Sequence, residues 1–151
     1  MLFRSDTGQL IGTVQYMSPE QFGPDPDDLD SRADVYSLGV VLYELLSGSP
    51  PYSVKKKALH EASRVVCEET PLPLQAIDKS IPRDISAIAE RCLQKDRRHR
   101  YYTAGELAAD IGRFLDGKPV RAQPSSALGR DRKSTRLNSS HSSVSRMPSS
   151  A

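Results

Sequence analysis

A chain of 151 residues suffices for one modest domain, and a hydrophobic content of 37% is low for a compact globule over that whole length. The formal charge of +2 hides a division: Arg130, Arg132, Lys133, Arg136 and Arg146 against Asp131 give the C-terminal tail +4, which leaves −2 for the rest. A basic tail on a mildly acidic body does not make a nucleic-acid footprint, which needs basic residues on a folded face. Cys67 and Cys92 stand outside any CxxC or Cys/His cluster, so neither a disulfide framework nor structural zinc is expected. The opening MLFRSDTGQL is too short and polar for a signal peptide, and no apolar run reaches the roughly 20 residues of a membrane span. A soluble chain in the cytoplasm, with no membrane segment, is the default expectation.

Residues 1–17 read as a loop punctuated by Gly8 and Gly12. Ser18-Pro19-Glu20-Gln21-Phe22 opens a short helix, with Ser at the N-cap, Pro at the first helical position and an acid near the positive end of the dipole. Gly23-Pro24-Asp25-Pro26-Asp27-Asp28 ends it, and its paired acids read as a solvated charge run. Ser31 can cap the next helix, with Asp34 three residues on. That helix runs to about Ser47 and carries Val35, Leu38, Val41, Leu42, Leu45 and Leu46, with Val40 and Tyr43 on other sides. Apolar nearly all round, it reads as a buried central helix. Gly48 and Ser49-Pro50-Pro51 stop it.

An amphipathic helix follows from about Lys57 to Glu68, with Leu59, Ala62, Val65 and Val66 on one side. Thr70-Pro71-Leu72-Pro73 breaks it. Pro82 starts a helix to about Gln94, with Ile85, Ile88, Ala89, Cys92 and Leu93 at helical spacing. Thr103 caps a last helix, Glu106 completes its capping box, and Leu107, Ala108, Ile111, Phe114 and Leu115 face inward until Gly117-Lys118-Pro119. No strand pattern and no repeat occurs, so the fold class is mainly α. From residue 123 Ser dominates, and such a segment cannot bury enough apolar area to offset its ordering entropy. A disordered Ser/Arg-rich tail is expected over 123–151. DRKSTRLNSSHSSVSRMPSSA resembles translated sequencing-adaptor or vector DNA; the other reading is a plain linker.

Gly12-Thr13-x-x-Tyr16, Ser18-Pro19-Glu20, Asp34-Val35-Tyr36-Ser37-Leu38-Gly39, Pro50-Pro51-Tyr52 and the run Cys92 to Tyr101 fall in one order. Together they resemble the back half of a serine/threonine protein kinase domain, most closely the bacterial members of the eukaryotic-like family. The resemblance covers about residues 1–122 and implies the C-lobe of the kinase fold, from the activation segment through the last helix. It implies that Thr13 helps position the acceptor hydroxyl, and that Leu10, Tyr16 and Met17 line the pocket for the residue after the acceptor. It pairs Glu20 with Arg100 in a buried bidentate ion pair. It makes Asp34, Val41 and Leu45 the points on which the catalytic core is anchored, and gives Gly39 close helix packing. Ser5 and Thr7, Thr7 first, fall where activating phosphorylation occurs. Arg97 departs from the family's usual Pro, which is expected to loosen the turn.

Phosphoryl transfer requires metals, a phosphate-holding Lys and a base that orients the hydroxyl. The sequence contains no GxGxxG loop, no Val-Ala-Ile-Lys, no His-Arg-Asp and no Asp-Phe-Gly. No catalytic or metal residue is therefore assigned. Mg-ATP and a protein Ser/Thr substrate are implied for the complete family member, while this stretch alone is expected to be inactive and poorly soluble. The alternative is a non-catalytic helical module that docks a substrate or partner through residues 10–20 and the helix from Lys57.

Overall fold

The computed structural model of the chain describes residues 12–123; the expectations for Ser5, Thr7, Leu10 and nearly all of the tail lie outside them. Among the described residues there is no strand, and five α-helices carry the core: α1 Ser31–Ser47, α2 Leu59–Glu68, α3 Leu74–Ile77, α4 Arg83–Cys92 and α5 Ala104–Leu115. Short 3₁₀ turns stand at Pro19–Phe22, Pro26–Asp28 and Arg97–His99. Residues 12–14 form one helical turn where a plain loop is expected.

The central helix α1 begins one residue earlier in its capping than Ser31 implies. Asp30 is the N-cap, and its carboxylate accepts from the Arg32 N–H at 2.8 Å. Asp carries the charge that the helix N-terminus favours, while Ser31 turns its hydroxyl to the Tyr102 carbonyl at 3.1 Å. Hydrogen bonds from the Arg32 side chain hold the Asp30 carboxyl down at about 2. Gly48 closes the helix in the left-handed region, φ 74°, which a residue with a Cβ adopts only at a cost.

Helix α1 packs on α4, α5 and α3 through Ala33, Val35, Tyr36, Gly39, Val40 and Tyr43, all buried. The opposite side is not covered by the described residues: Leu38 is 44% exposed, Val41 42% and Leu45 78%. A helix apolar all round thus has only one side buried here. Gly39 meets α4 directly, since a Cβ added there would lie 2.4 Å from the Cβ of Cys92. The remaining core comes from Ala62, Val65 and Val66 of α2, Leu74 of α3, and Ile85, Ile88, Ala89 and Cys92 of α4.

Helix α2 starts at Leu59 rather than Lys57, and Leu59 itself is exposed. The Pro-rich break after α2 is followed by the single turn α3, whose buried Leu74 the Pro spacing does not announce. Helix α4 starts just after Pro82 and ends at Cys92, short of Gln94. In α5 the Thr103 hydroxyl accepts from the Glu106 N–H at 3.2 Å, but Glu106 reaches back to the Tyr102 N–H at 2.9 Å, one residue beyond the position a capping box requires. Leu107 is buried and Ile111 and Phe114 partly so, whereas Ala108 and Leu115 face solvent.

Asp110, a charge within the inward stripe of α5, is fully buried. Its carboxylate accepts from the Tyr101 hydroxyl at 2.6 Å and from the N–H groups of Arg121 at 2.7 Å and Ala122 at 2.9 Å. Burial raises its pKa, but the donated hydrogen bonds outweigh that and hold it below the ordinary carboxylate value. Residues 121–122 are thereby clipped back onto the last helix.

Candidate functional site

The Pro19–Phe22 turn is built from its own sequence. Proline pre-sets the first helical position, and the Gln21 side-chain oxygen accepts from the Ser18 N–H at 2.7 Å and from the Ser18 hydroxyl at 3.2 Å. Ser18 is completely buried by this closure, and the next residue but one, Glu20, is directed into the lobe.

Glu20 meets Arg100, which leaves the Arg97–His99 turn. The two nitrogens Nη1 and Nη2 donate to the two carboxylate oxygens at 2.6 Å and 2.9 Å, with the side chains 0% and 9% exposed. Arg100 also donates to three main-chain carbonyls: Nε to Gln94 at 2.7 Å, Nη1 to Arg32 at 3.0 Å and Nη2 to Lys95 at 3.1 Å. All five guanidinium N–H donors are therefore used, while the Tyr36 ring lies with its centroid 4.9 Å from the guanidinium carbon. Desolvation works against the Glu20 carboxylate, but the Arg100 hydrogen bonds and charge prevail and lower its pKa. One buried group thus ties the turn before α1, the first turn of α1 and the segment after α4.

The segment before the turn is seated on α1 at two points. The Tyr16 carbonyl accepts from the Ser37 hydroxyl at 2.7 Å, and the Tyr16 hydroxyl donates to Glu44 at 2.8 Å. That hydrogen bond to a carboxylate is the largest cause of a raised Tyr16 pKa. Met17 packs partly buried against the core, and Thr13 is exposed at the head of the turn, its carbonyl accepting from the Tyr16 N–H at 3.0 Å. Asp34 is exposed on α1. With Leu38, Val41 and Leu45 it falls at i, i+4, i+7 and i+11, one face of the helix. The residues singled out from sequence therefore fall into a buried pair, Glu20 and Arg100, the segment Thr13, Tyr16 and Met17 seated beside α1, and an exposed stripe headed by Asp34.

Three features were not legible in the pattern. Asp28 is exposed, as a loop acid is expected to be, but it also pairs with Arg97 at 2.6 Å, and Arg97 lies 3.8 Å from Asp30. Arg97, in the turn after α4, therefore tethers the acidic loop. Lys95 is the second, with its Nζ against Tyr52 and the end of α2. Asp110 is the third, and a lone acid among Leu107, Ile111 and Phe114 was the signal that could have found it. Among the described residues no group of three His, Cys, Asp or Glu side chains is placed to hold a metal ion, and no helix is long and apolar enough to cross a membrane.

The sequence profile described as "Protein kinase domain" matches residues 3–110. The chain is 40% identical over 118 residues to the serine/threonine-protein kinase PknB of Mycobacterium tuberculosis, covering 78% of this chain and 18% of that protein. It is 41% identical over 118 residues to PknB of Mycobacterium leprae, covering 78% and 18%, and 41% identical to a probable serine/threonine-protein kinase of Streptomyces coelicolor, covering 78% and 17%. The chain spans less than a fifth of the length of these relatives.

Proposed function

The chain belongs to the protein kinase domain family, and from that membership we propose that it is the C-terminal lobe of a bacterial serine/threonine kinase that transfers the γ-phosphate of ATP to protein Ser or Thr hydroxyls. The observation that carries this reading is the coexistence of the buried Glu20–Arg100 pair with the exposed stripe Asp34, Leu38, Val41 and Leu45. Exposed apolar residues in register with a carboxylate on a central helix are a seat for another part of the domain. In the complete kinase that part carries the catalytic base and the metal-binding acids.

In this reading the pair fixes the end of the activation segment. Thr13 faces the acceptor, Leu10, Tyr16 and Met17 shape the pocket beside it, and Thr7 and Ser5 take regulatory phosphate. A phosphate there adds up to about −2 charge, which Arg side chains can order. The domain ends near residue 122, where the clip on Asp110 supports a boundary, and 123–151 is a separate tail of non-native origin. Mg-ATP is the co-substrate that the family implies for the complete domain. No chemical step is assigned to the described residues; their work is to hold the acceptor segment. The site of action is the cytoplasm, with any membrane anchor supplied elsewhere in the whole protein.

The test compares two proteins: the present chain, and the reading frame extended upstream to a complete domain without the tail. With Mg-ATP and a basic model protein, the extended form should phosphorylate Ser and Thr and the present chain should not. An extended form that binds Mg-ATP yet labels no Ser or Thr would overturn the kinase reading in favour of a docking module.

A further inference from the structure

Lys95 lies between α4 and the Arg97–His99 turn and is half-buried. Its Nζ donates to the Tyr52 hydroxyl at 2.5 Å and to the Val66 carbonyl, and it stands 4.3 Å from the Tyr52 ring centroid. Val66 is in the last turn of α2, where carbonyls have no partner within the helix. The ammonium satisfies one of them at the negative end of the helix dipole. Through its own carbonyl, the same residue accepts from Arg100 Nη2 at 3.1 Å.

From Arg100 the connection runs to Glu20 and the Pro19–Phe22 turn, and α2 packs on that turn. The Cys67 thiol of α2 lies 3.8 Å from the Pro19 carbonyl. The contacts therefore close a ring: α2, Lys95, Arg100, Glu20, the turn, and α2 again. Holding a lysine half-buried has a cost, and burial is the main cause that lowers its pKa to about 8. A side chain whose only purpose was to fill space would avoid that cost.

We propose that Lys95 is a positioning residue that couples the seating of α2 to the Glu20–Arg100 pair, so that displacing either one loosens the other. The coupling is a property of this lobe and does not depend on the phosphotransfer reading.

Two thiols already in the chain provide the readout. Cys67 is half-buried on α2 and reports its seating; Cys92 is fully buried in α4 and reports global opening. Site-resolved maleimide labelling of the full chain would be followed for Lys95→Met, which keeps the aliphatic volume, and for Lys95→Arg. Loss of a hydrogen bond from a charged donor corresponds to about a tenfold change in an opening equilibrium. Lys95→Met should accelerate Cys67 labelling by about that factor with Cys92 unchanged, and Lys95→Arg should restore much of the protection. Glu20→Gln should likewise accelerate Cys67, and adding Lys95→Met to it should give less than the product of the two effects. Unchanged Cys67 labelling in Lys95→Met would overturn the proposal. So would equal acceleration of both thiols, which marks general destabilisation, or strict multiplicativity in the double variant.

Discussion

Replacing Glu20 with Gln removes one charge and leaves almost the same shape. Arg100 then stays fully buried with a guanidinium whose partner carries no charge, and the new amide NH₂ opposes one of its donors. Breaking a buried pair in this way costs about 3–5 kcal/mol. The three carbonyls of Gln94, Arg32 and Lys95 still accept from Arg100, so the lower part of that range applies. Arg100→Met should be worse, because it strands the Glu20 carboxylate and all three carbonyls together. The double variant Glu20→Leu with Arg100→Met removes both charges and should recover part of the loss. It should not reach the parent, since each unsatisfied carbonyl still costs about 1–3 kcal/mol. The chain has no Trp, so urea unfolding is followed by far-ultraviolet circular dichroism of the helices. With a slope near 1.5 kcal/mol per molar urea, a 3 kcal/mol loss moves the midpoint down by roughly 2 M. A shift below about 0.5 M for Glu20→Gln would refute the reasoning, because the pair would then be worth no more than a surface ion pair.

Further outcomes follow from the same geometry. Gly39→Ala places a Cβ 2.4 Å from the Cβ of Cys92, a rigid core neighbour, and should cost about 1–3 kcal/mol or more in the same urea assay. Asp110→Asn should cost about 2 kcal/mol and expose residues 118–122 to protease, since an amide offers one acceptor oxygen to three donors. Lys95 has a folded pKa of about 8, below the ordinary 10.5, so the unfolded chain binds the extra proton. Its contribution should therefore make stability rise with pH from about 8 towards 10, and Lys95→Met should flatten that rise. Glu20 has the opposite sense: its lowered carboxyl contributes stability that is present above about 4.5 and is lost as pH falls through its folded value. Glu20→Gln should reduce this acid sensitivity in a titrated melt. Leu45→Glu changes a side chain that is 78% exposed; it should leave the urea midpoint of this chain nearly unchanged, reduce its light scattering, and abolish assembly of a complete domain.

The legible part of the fold was what local chemistry dictates. Pro19, Gly48, Pro82 and Thr103 mark element ends by constraints that act within a few residues, and α1 and α4 lie close to where those marks put them. Glu20 and Arg100, far apart in the chain, could be paired only through resemblance, because no local rule links them. The misses share a cause. The Asp28–Arg97 pair and the Lys95 contact with Val66 depend on how loops pack after the helices are placed. Asp30 displaced Ser31 as cap because adjacent polar residues compete, and tertiary partners such as the Tyr102 carbonyl decide between them. Leu38, Val41 and Leu45 are a separate matter: the pattern makes α1 a buried helix, while the resemblance makes Val41 and Leu45 anchors for other parts of the domain, and here all three are exposed. When a helix is apolar all round, periodicity vanishes, and composition cannot say which side a neighbour covers.

The clip on Asp110 also determines where the lobe lets go of the chain. Helix α5 ends at Leu115, yet the backbone is still held at Arg121 and Ala122. Anything tethered downstream is therefore leashed from a point fixed on the lobe rather than from the helix end. Anchoring that origin decides which surface patches lie within reach of whatever follows. Releasing residues 121–122, as Asp110→Asn should do, would move that origin and lengthen the leash without altering a residue of it.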